Sequence, residues 1–236
     1  VYNMFKNIML KISGESLAGD NEQGFDFKIL NDLSQNIKIL ANKNISISIV
    51  LGGGNFIRGS SFSNGIVDRV TSDYMGMLGT VMNSLALQSN LEKIGVPSRV
   101  MSAISINRVA EPYIKNKATR HLEKNRVVIF ASGTGNPFFS TDTAAVLRAS
   151  EMKSDVILKG TKVDDIYDKD PMTNDNVKKI SEISYSDYLS KDIKVMDATA
   201  ISLAKDRKLP IFIFSILNSS NIIDIIEGKG SYSIIK

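Results

Sequence analysis

The chain reads as an α/β protein built on a mostly parallel sheet, and three observations predict this. Short β-branched runs alternate with longer amphipathic stretches along all 236 residues. Several of the runs end in glycine-bearing turns. No repeat or low-complexity tract breaks the alternation.

Strands are predicted at Asn7–Ile12, 45–51, Ser98–Ser102, 126–131, 155–159, 210–214 and 231–235. A first helix lies between the first two, because Ile29, Leu33, Ile37 and Leu40 recur on one helical face. A second follows with Tyr74, Leu78, Val81, Met82, Leu85 and Leu91, stopped by Gly95-Val96-Pro97. Its Met- and Leu-rich stripe reads as core packing. Pro112 reads as the first-turn residue of the next helix. Further helices are predicted at 143–153, 197–208 and 219–227. The polar, turn-rich segment 160–176 reads as a hairpin or excursion at the sheet edge.

The length fits one large domain or two small ones. With 43% hydrophobic and 23% charged residues a packed core is feasible. The absence of cysteine excludes disulfides, thiolate zinc sites and cysteine nucleophiles. No apolar run approaches the roughly 20 residues that span a bilayer. The run from Ile8 is broken by Lys11 and followed by Ser13-Gly14, which is too short and polar for a signal peptide. The expected location is the cytoplasm. Net charge is +4, yet no basic stripe interleaved with aromatics appears, so neither a nucleic-acid nor a membrane partner is expected.

In an open parallel sheet, ligands sit beyond the carboxyl ends of the strands. The first strand is followed by Lys11-Ile12-Ser13-Gly14-Glu15 and the second by Gly52-Gly53-Gly54-Asn55, then Arg58-Gly59. The fourth leads into Ser132-Gly133-Thr134-Gly135-Asn136-Pro137 and the fifth into Lys159-Gly160-Thr161-Lys162-Val163-Asp164. Glycine lets backbone N–H groups approach an anion closely, and a following helix adds its positive end. A single such turn is explained by a tight strand-to-helix connection. Four on one sheet edge imply a cleft for more than one phosphate. Two familiar phosphate motifs fail. Gly54 to Ser61 has P-loop spacing, but Ser60 stands where the lysine is needed, and Phe138 replaces the third glycine of a dinucleotide fingerprint.

Among the carboxylates, Asp73 reads as opening a helix, Asp142 as capping another after Ser140-Thr141, Asp170 as preceding Pro171, and Asp197 as starting a helix. Capping and turn chemistry account for each alone. Closeness to the phosphate turns singles out Asp142 and Asp170. The single histidine, His121, lies in a charged stretch and reads as a surface residue. Lysine, arginine, aspartate and backbone amides remain, and these are the groups that phosphoryl transfer uses.

Three patterns carry a resemblance: Lys-x-Ser-Gly-Glu from Lys11, Gly-Gly-Gly-Asn-x-x-Arg-Gly from Gly52, and Lys-x-Thr-Lys-Val-Asp from Lys159. They resemble the amino acid kinase family. Three longer stretches are similar to the bacterial uridylate kinases within it: Asp73 to Leu78 with Thr80-Val81-Met82-Asn83, Thr134 to Asp142, and Lys194-Val195-Met196-Asp197. The resemblance runs from Lys6 to Ile235.

It implies a three-layer αβα sandwich in one domain, with an acceptor lobe over about residues 1–150 and an ATP lobe over the rest. It implies ATP and UMP as substrates, Mg²⁺ arriving with ATP, and a homohexamer of three dimers, with the 74–91 helix as a dimer surface. Lys11, Ile12, Ser13 and Gly14 would lie along the ATP phosphates, with Lys11 bridging donor and acceptor. Gly53 would meet the UMP phosphate, Gly54 ATP, and Arg58 the transfer point. Asp73 would take the UMP ribose. Thr134, Gly135, Asn136, Pro137, Phe138, Phe139, Ser140 and Thr141 would wrap uracil and ribose. Thr161, Tyr167 and Asp170 would hold the ATP nucleoside, and Lys159 would offset charge on the transferred group. Asp142 and Asp197 would orient the lysines or Mg²⁺. The loop from Gly19 to Phe25 departs from the pattern that accompanies a GTP response in this family. Two other functions share these motifs. One is a kinase for an amino acid or carbamate, which should lack the Thr134 to Asp142 stretch. The other is a non-catalytic nucleotide- or anion-binding protein.

Overall fold

In a computed structural model describing residues 5–57, 66–162, 165–167, 177–217 and 220–236, helices cover both faces of a twisted sheet. The order begins β1 (Asn7–Ile12), α1 (Gly14–Ala18), α2 (Phe27–Asn42), β2 (Ser46–Leu51), α3 (Arg69–Lys93), β3 (Ser98–Ser102) and β4 (Glu111–Pro112). It continues with α4 (Lys115–Glu123), β5 (Val127–Ala131), α5 (Thr141–Met152), β6 (Val156–Thr161), β7 (Ile166–Tyr167), β8 (Lys179–Ile180) and β9 (Glu182–Ile183). It ends with α6 (Tyr185–Ser190), α7 (Ala198–Arg207), β10 (Ile211–Ser215), α8 (Asn221–Ile226) and β11 (Ser233–Ile235).

Among the described residues nine strands form one sheet in the order β4-β3-β5-β2-β1-β6-β10-β11-β9. Neighbours run parallel except β10 and β11. The central strand β1 lies between β2 and β6, so the direction of winding reverses there. Such a switch point opens a crevice at the carboxyl edge. The start of β1 is fixed from far along the chain, because Asp155 Oδ2 accepts the backbone N–H of Lys6 and of Asn7, each at 2.8 Å.

Strand alternation sorts the core into two layers. Ile8, Leu10 and Ile12 face one side with residues of α2, α3 and α8. Met9, Val50 and Ile157 face the other with α4, α5, α6 and α7. Helix α2 shows the usual logic. Asp26 caps it by accepting from the N–H of Lys28 and Ile29, and Leu30, Leu33, Ile37 and Leu40 turn inward.

Three expectations change. Pro112 does not open a helix: it lies in the edge strand β4, where its missing N–H costs no ladder bond, and α4 starts at Lys115. Gly160 and Thr161 are not part of an excursion but complete β6, and a Cβ on Gly160 would lie 2.7 Å from Ile12 Cδ1. The excursion is the small antiparallel pair β7 and β8. The stripe read as core on α3 is split: Tyr74, Leu78 and Met82 are all more than 40% exposed, while Val81 and Leu91 are buried. The face that α3 buries holds Ser72, Gly79, Thr80, Asn83 and Ser84 beside Met77, Val81, Leu87 and Leu91.

Adjacent positions on α2 test the layering. Leu40 is fully buried and Ile39 is exposed. Leu40→Ala should lower unfolding free energy by about 3 kcal/mol, as core truncations do. Ile39→Ala should cost less than about 0.5 kcal/mol. Urea midpoints of the two variants measure the difference, and equal losses would contradict the layer assignment.

Candidate active site

Lys11 and Lys159 are register partners on β1 and β6, at the point where the winding reverses. Each lies two residues past a core residue of the second layer, Met9 and Ile157, so alternation turns both ammonium groups toward α5. There Ser140 caps α5 by accepting from Thr143 N–H, which leaves Asp142 in the first turn rather than at the cap. Its two oxygens take one lysine each: Lys11 Nζ at 2.7 Å from Oδ1 and Lys159 Nζ at 2.5 Å from Oδ2. All three residues are buried, and burial of unpaired charges there would be prohibitive. Lys159 also donates to the carbonyl of Val195 at 2.5 Å. Tyr188 steadies that carbonyl's neighbour, its hydroxyl accepting from Met196 N–H at 2.6 Å and donating to Met196 O at 3.1 Å.

Burial pushes the Asp142 carboxyl up, but the two ammonium groups outweigh it and hold the group well below the usual carboxylate range. For Lys159, burial lowers the ammonium and Lys11 adds to that, while Asp142 and then Asp197 pull it back up. The net is a lysine below its ordinary range. Asp197 is exposed at the N-cap position of α7, where its side chain makes no capping bond.

The turns after β1 and β2 meet backbone to backbone. A Cβ on Gly14 would stand 2.5 Å from Gly54 N, and one on Gly53 would stand 2.5 Å from Gly76 O in α3. Glycine is therefore required here by the approach of chain to chain as well as by any ligand. Ser13 caps α1 and its N–H meets Gly160 O at 3.4 Å, which ties the β1 and β6 turns. Lys162 Nζ donates to Gly19 O at 2.8 Å, and Asn55 Nδ2 to Gly24 O at 2.8 Å. The loop between α1 and α2 is thus held from both sides of the crevice.

Beside this junction opens a cleft of about 180 Å³ lined by Gly53, Gly54, Asp73, Gly133, Phe139, Ser140 and Thr141, with Ile57, Ser72, Gly76, Met77 and Thr80. Asp73 does not open α3, which starts at Arg69 with Asp68 as cap. Instead its Oδ2 accepts the N–H of Phe138 at 2.7 Å, and Arg69 Nε reaches both its oxygens. Phe138 takes a left-handed φ of 70°. Thr134, Gly135, Asn136, Pro137 and Phe138 belong to the same turn but do not line the cleft. The Thr134 hydroxyl bonds within the turn, to Asn136 N–H at 3.2 Å.

On the other flank Thr161 pairs in register with Ser215, and Tyr167 with Lys179. Arg58 and Asp170 lie outside the described residues. His121 stands apart from the cleft and is more covered than expected: Glu111 and Arg126 contact its ring nitrogens at 3.3 and 3.2 Å. Sequence reasoning gave no role to Thr80, Asn83 or the Val195 carbonyl. Thr80 and Asn83 carried a signal only as polar residues between apolar positions of a helix that holds other polar residues too, whereas a carbonyl carries none.

The description "Amino acid kinase family" matches residues 6–215. The chain is 52% identical over 231 residues to the uridylate kinase of Wolbachia pipientis wMel, across 98% of this chain and 93% of that one. It is similar to the solved UMP kinase of Bacillus anthracis, with TM-score 0.94 and 37% identity over 98% of this chain and 96% of that one. It is similar also to that of Ureaplasma parvum, with TM-score 0.93 and 38% identity over 98% of each. The chain belongs to the amino acid kinase family.

Proposed function

We propose that the chain is a uridylate kinase, transferring the γ-phosphoryl group of ATP directly to UMP. The observation that carries the reading is the buried Lys11–Asp142–Lys159 unit, set at the winding reversal beside a glycine-walled cleft. The relatives named above, which act on UMP, supply the acceptor.

In the transfer, a UMP phosphate oxygen bonds to the γ-phosphorus as the bond to the β,γ-bridging oxygen breaks. UDP forms and ADP leaves with the bond's electron pair. The protein's work is placement and charge neutralisation. Lys159 has three N–H donors, of which Asp142 and Val195 take two, leaving one for the phosphoryl group. Lys11 bridges donor and acceptor from β1, and Asp142 fixes both ammonium groups in advance. Gly53 offers an amide to the UMP phosphate and Gly54 to ATP, with Ser13, Gly14 and Ile12 along the ATP phosphates. Asp73 and the 134–141 turn take ribose and uracil. Thr161, Tyr167 and Asp170 take the ATP nucleoside, and Arg58 the transfer point.

Among the described residues no group of three or more His, Asp or Glu side chains gathers for a metal. Both oxygens of Asp142 meet lysines, and Asp197 remains as an exposed carboxylate near Lys159. Such a donor set fits Mg²⁺ carried on ATP oxygens with few protein ligands, Asp197 among them. Bound there, it would offset charge on the phosphates.

The lobe division follows the seam. Strands β4, β3, β5, β2 and β1 form an acceptor lobe over about residues 1–150, and β6, β10, β11 and β9 an ATP lobe over the remainder. The exposed Tyr74, Leu78 and Met82 on α3 suit a dimer contact within a hexamer of three dimers. Among the described residues no helix is long and apolar enough to cross a membrane.

An ADP-release assay across UMP, CMP, aspartate, glutamate and carbamate tests the assignment. Turnover is expected with UMP, and turnover with an amino acid or carbamate but not UMP would remove it. Lys11→Ala should reduce kcat about a hundredfold, near 3 kcal/mol of transition-state stabilisation, with a smaller effect on ATP affinity. A wild-type rate would show that Lys11 is misassigned.

The Asp142 reading also fixes an acid response. Its folded-state pKa lies below the unfolded value, so its stabilisation is complete above about pH 5 and fades as pH falls through and below 4. Wild-type urea stability should therefore drop across that window more steeply than that of Asp142→Asn, by roughly 1 kcal/mol per pH unit. The variant should be the weaker protein at pH 7. Parallel profiles would contradict the charge assignment.

A further inference from the structure

Helix α3 buries polar side chains and exposes apolar ones, and two of the buried groups reach different walls of the cleft. Thr80 is 2% exposed and Asn83 fully buried. The Thr80 hydroxyl donates to Met77 O at 2.6 Å and accepts the backbone N–H of Ser132 at 2.7 Å. Ser132 needs such a hold. It takes a left-handed φ of 64°, unfavourable for a residue with a side chain, and opens the turn in which Gly133 borders the cleft.

One helical turn on, Asn83 Nδ2 donates to Gly52 O at 2.6 Å and to Asn55 Oδ1 at 2.7 Å. Asn55 Nδ2 returns a bond to Asn83 Oδ1 at 2.9 Å. Gly52 and Asn55 bracket Gly53 and Gly54, the opposite wall. The two contacts therefore rise from points about 4.5 Å apart along a single rigid helix. Ser, Thr and Asn are poor choices for a helix interior unless their side chains have such work.

We propose that Thr80 and Asn83 are positioning residues for the acceptor nucleotide, α3 acting as a common rest that fixes the distance between the phosphate turn at Gly53-Gly54 and the turn from Ser132. This rests on the reading of the cleft as the UMP site. Neither side chain needs to touch the reacting atoms. Both remove the cost of ordering the two walls when UMP arrives; Thr80, which holds the Ser132 turn, acts on the acceptor alone, whereas Asn83 also steadies Gly54 and so reaches ATP to a smaller degree.

The test is steady-state kinetics with UMP and ATP varied separately, together with thermal midpoints, for wild type, Thr80→Val, Thr80→Ser and Asn83→Ala. Thr80→Val keeps the volume and loses the hydroxyl. It should raise KM for UMP about tenfold while kcat changes less than about threefold and KM for ATP less than about twofold. Thr80→Ser keeps the hydroxyl and should return KM for UMP to within about twofold of wild type. Asn83→Ala should raise KM for UMP about tenfold and KM for ATP by a clearly smaller factor, and it carries the test alone if Thr80→Val does not fold. The proposal is overturned if Thr80→Ser is as impaired as Thr80→Val, if the two KM values rise by the same factor in either variant, or if only the thermal midpoints fall. Failure of both Thr80→Val and Asn83→Ala to fold also counts against it, since a purely structural pair would do that. A wild-type protein inactive on UMP would defeat the assignment of function itself. An active wild type with no split among the variants would defeat only the positioning role.

Discussion

One carboxylate shared by two lysines organises this molecule. Asp142 offsets the cost of burying two ammonium groups, and they offset the cost of burying its carboxylate. None of the three can be placed alone. Their mutual placement needs β1 beside β6 in register, the first turn of α5 over that seam, and the Val195 carbonyl brought back against Lys159. The sheet order, the crossover that delivers α5 and the return of the chain before α7 all serve a contact a few ångströms across. The arrangement is costly as a fold and useful as chemistry, because charge is held in position before any phosphate enters.

Around that centre the protein is built by close backbone contact. Gly14, Gly52 and Gly53 bring two strand turns and a helix nearer than any side chain permits. Where the helix comes that close, at Gly76 and Gly79, its inward face cannot be filled with leucine. Small and polar residues take the space, and their hydrogen bonds must then be met. The Asn55–Asn83 pair and the Thr80–Ser132 contact meet them. The outward apolar stripe of α3 is the complement of the same constraint.

The sequence told most where periodicity was long and least where contact decided. All seven runs read as strands are strands, with ends shifted by up to two residues. The pairs β7 to β9 and the edge strand β4 are two residues each, too short for any alternation to register, and α1 and α6 span barely a turn or two. Pro112 misled because a proline suits a helix start and a sheet edge equally well. The stripe on α3 marked the helix correctly and its buried side only in part, since a periodic pattern defines a face without saying what covers it. At the site, glycine turns and lysines were legible as residue types, so Lys11, Asp142 and Lys159 stood out. That they form one charge unit, that Asp73 grips a backbone amide at Phe138, and that Ser140 rather than Asp142 caps α5 depend on distances no spacing rule encodes.

The place of β1 also bears on how the chain comes into being. Among the described strands it is made before the others, yet one of its two neighbours is β6, and the carboxylate pinning its start is Asp155. At ordinary rates of about 5–20 residues per second, the ribosome adds the intervening stretch over many seconds. Through that interval β1 has an open flank, and its Lys11 lacks a buried counter-ion until Asp142 and α5 are made. A protein wired this way closes its centre late, so its half-made chain depends on keeping an apolar strand edge out of unwanted company.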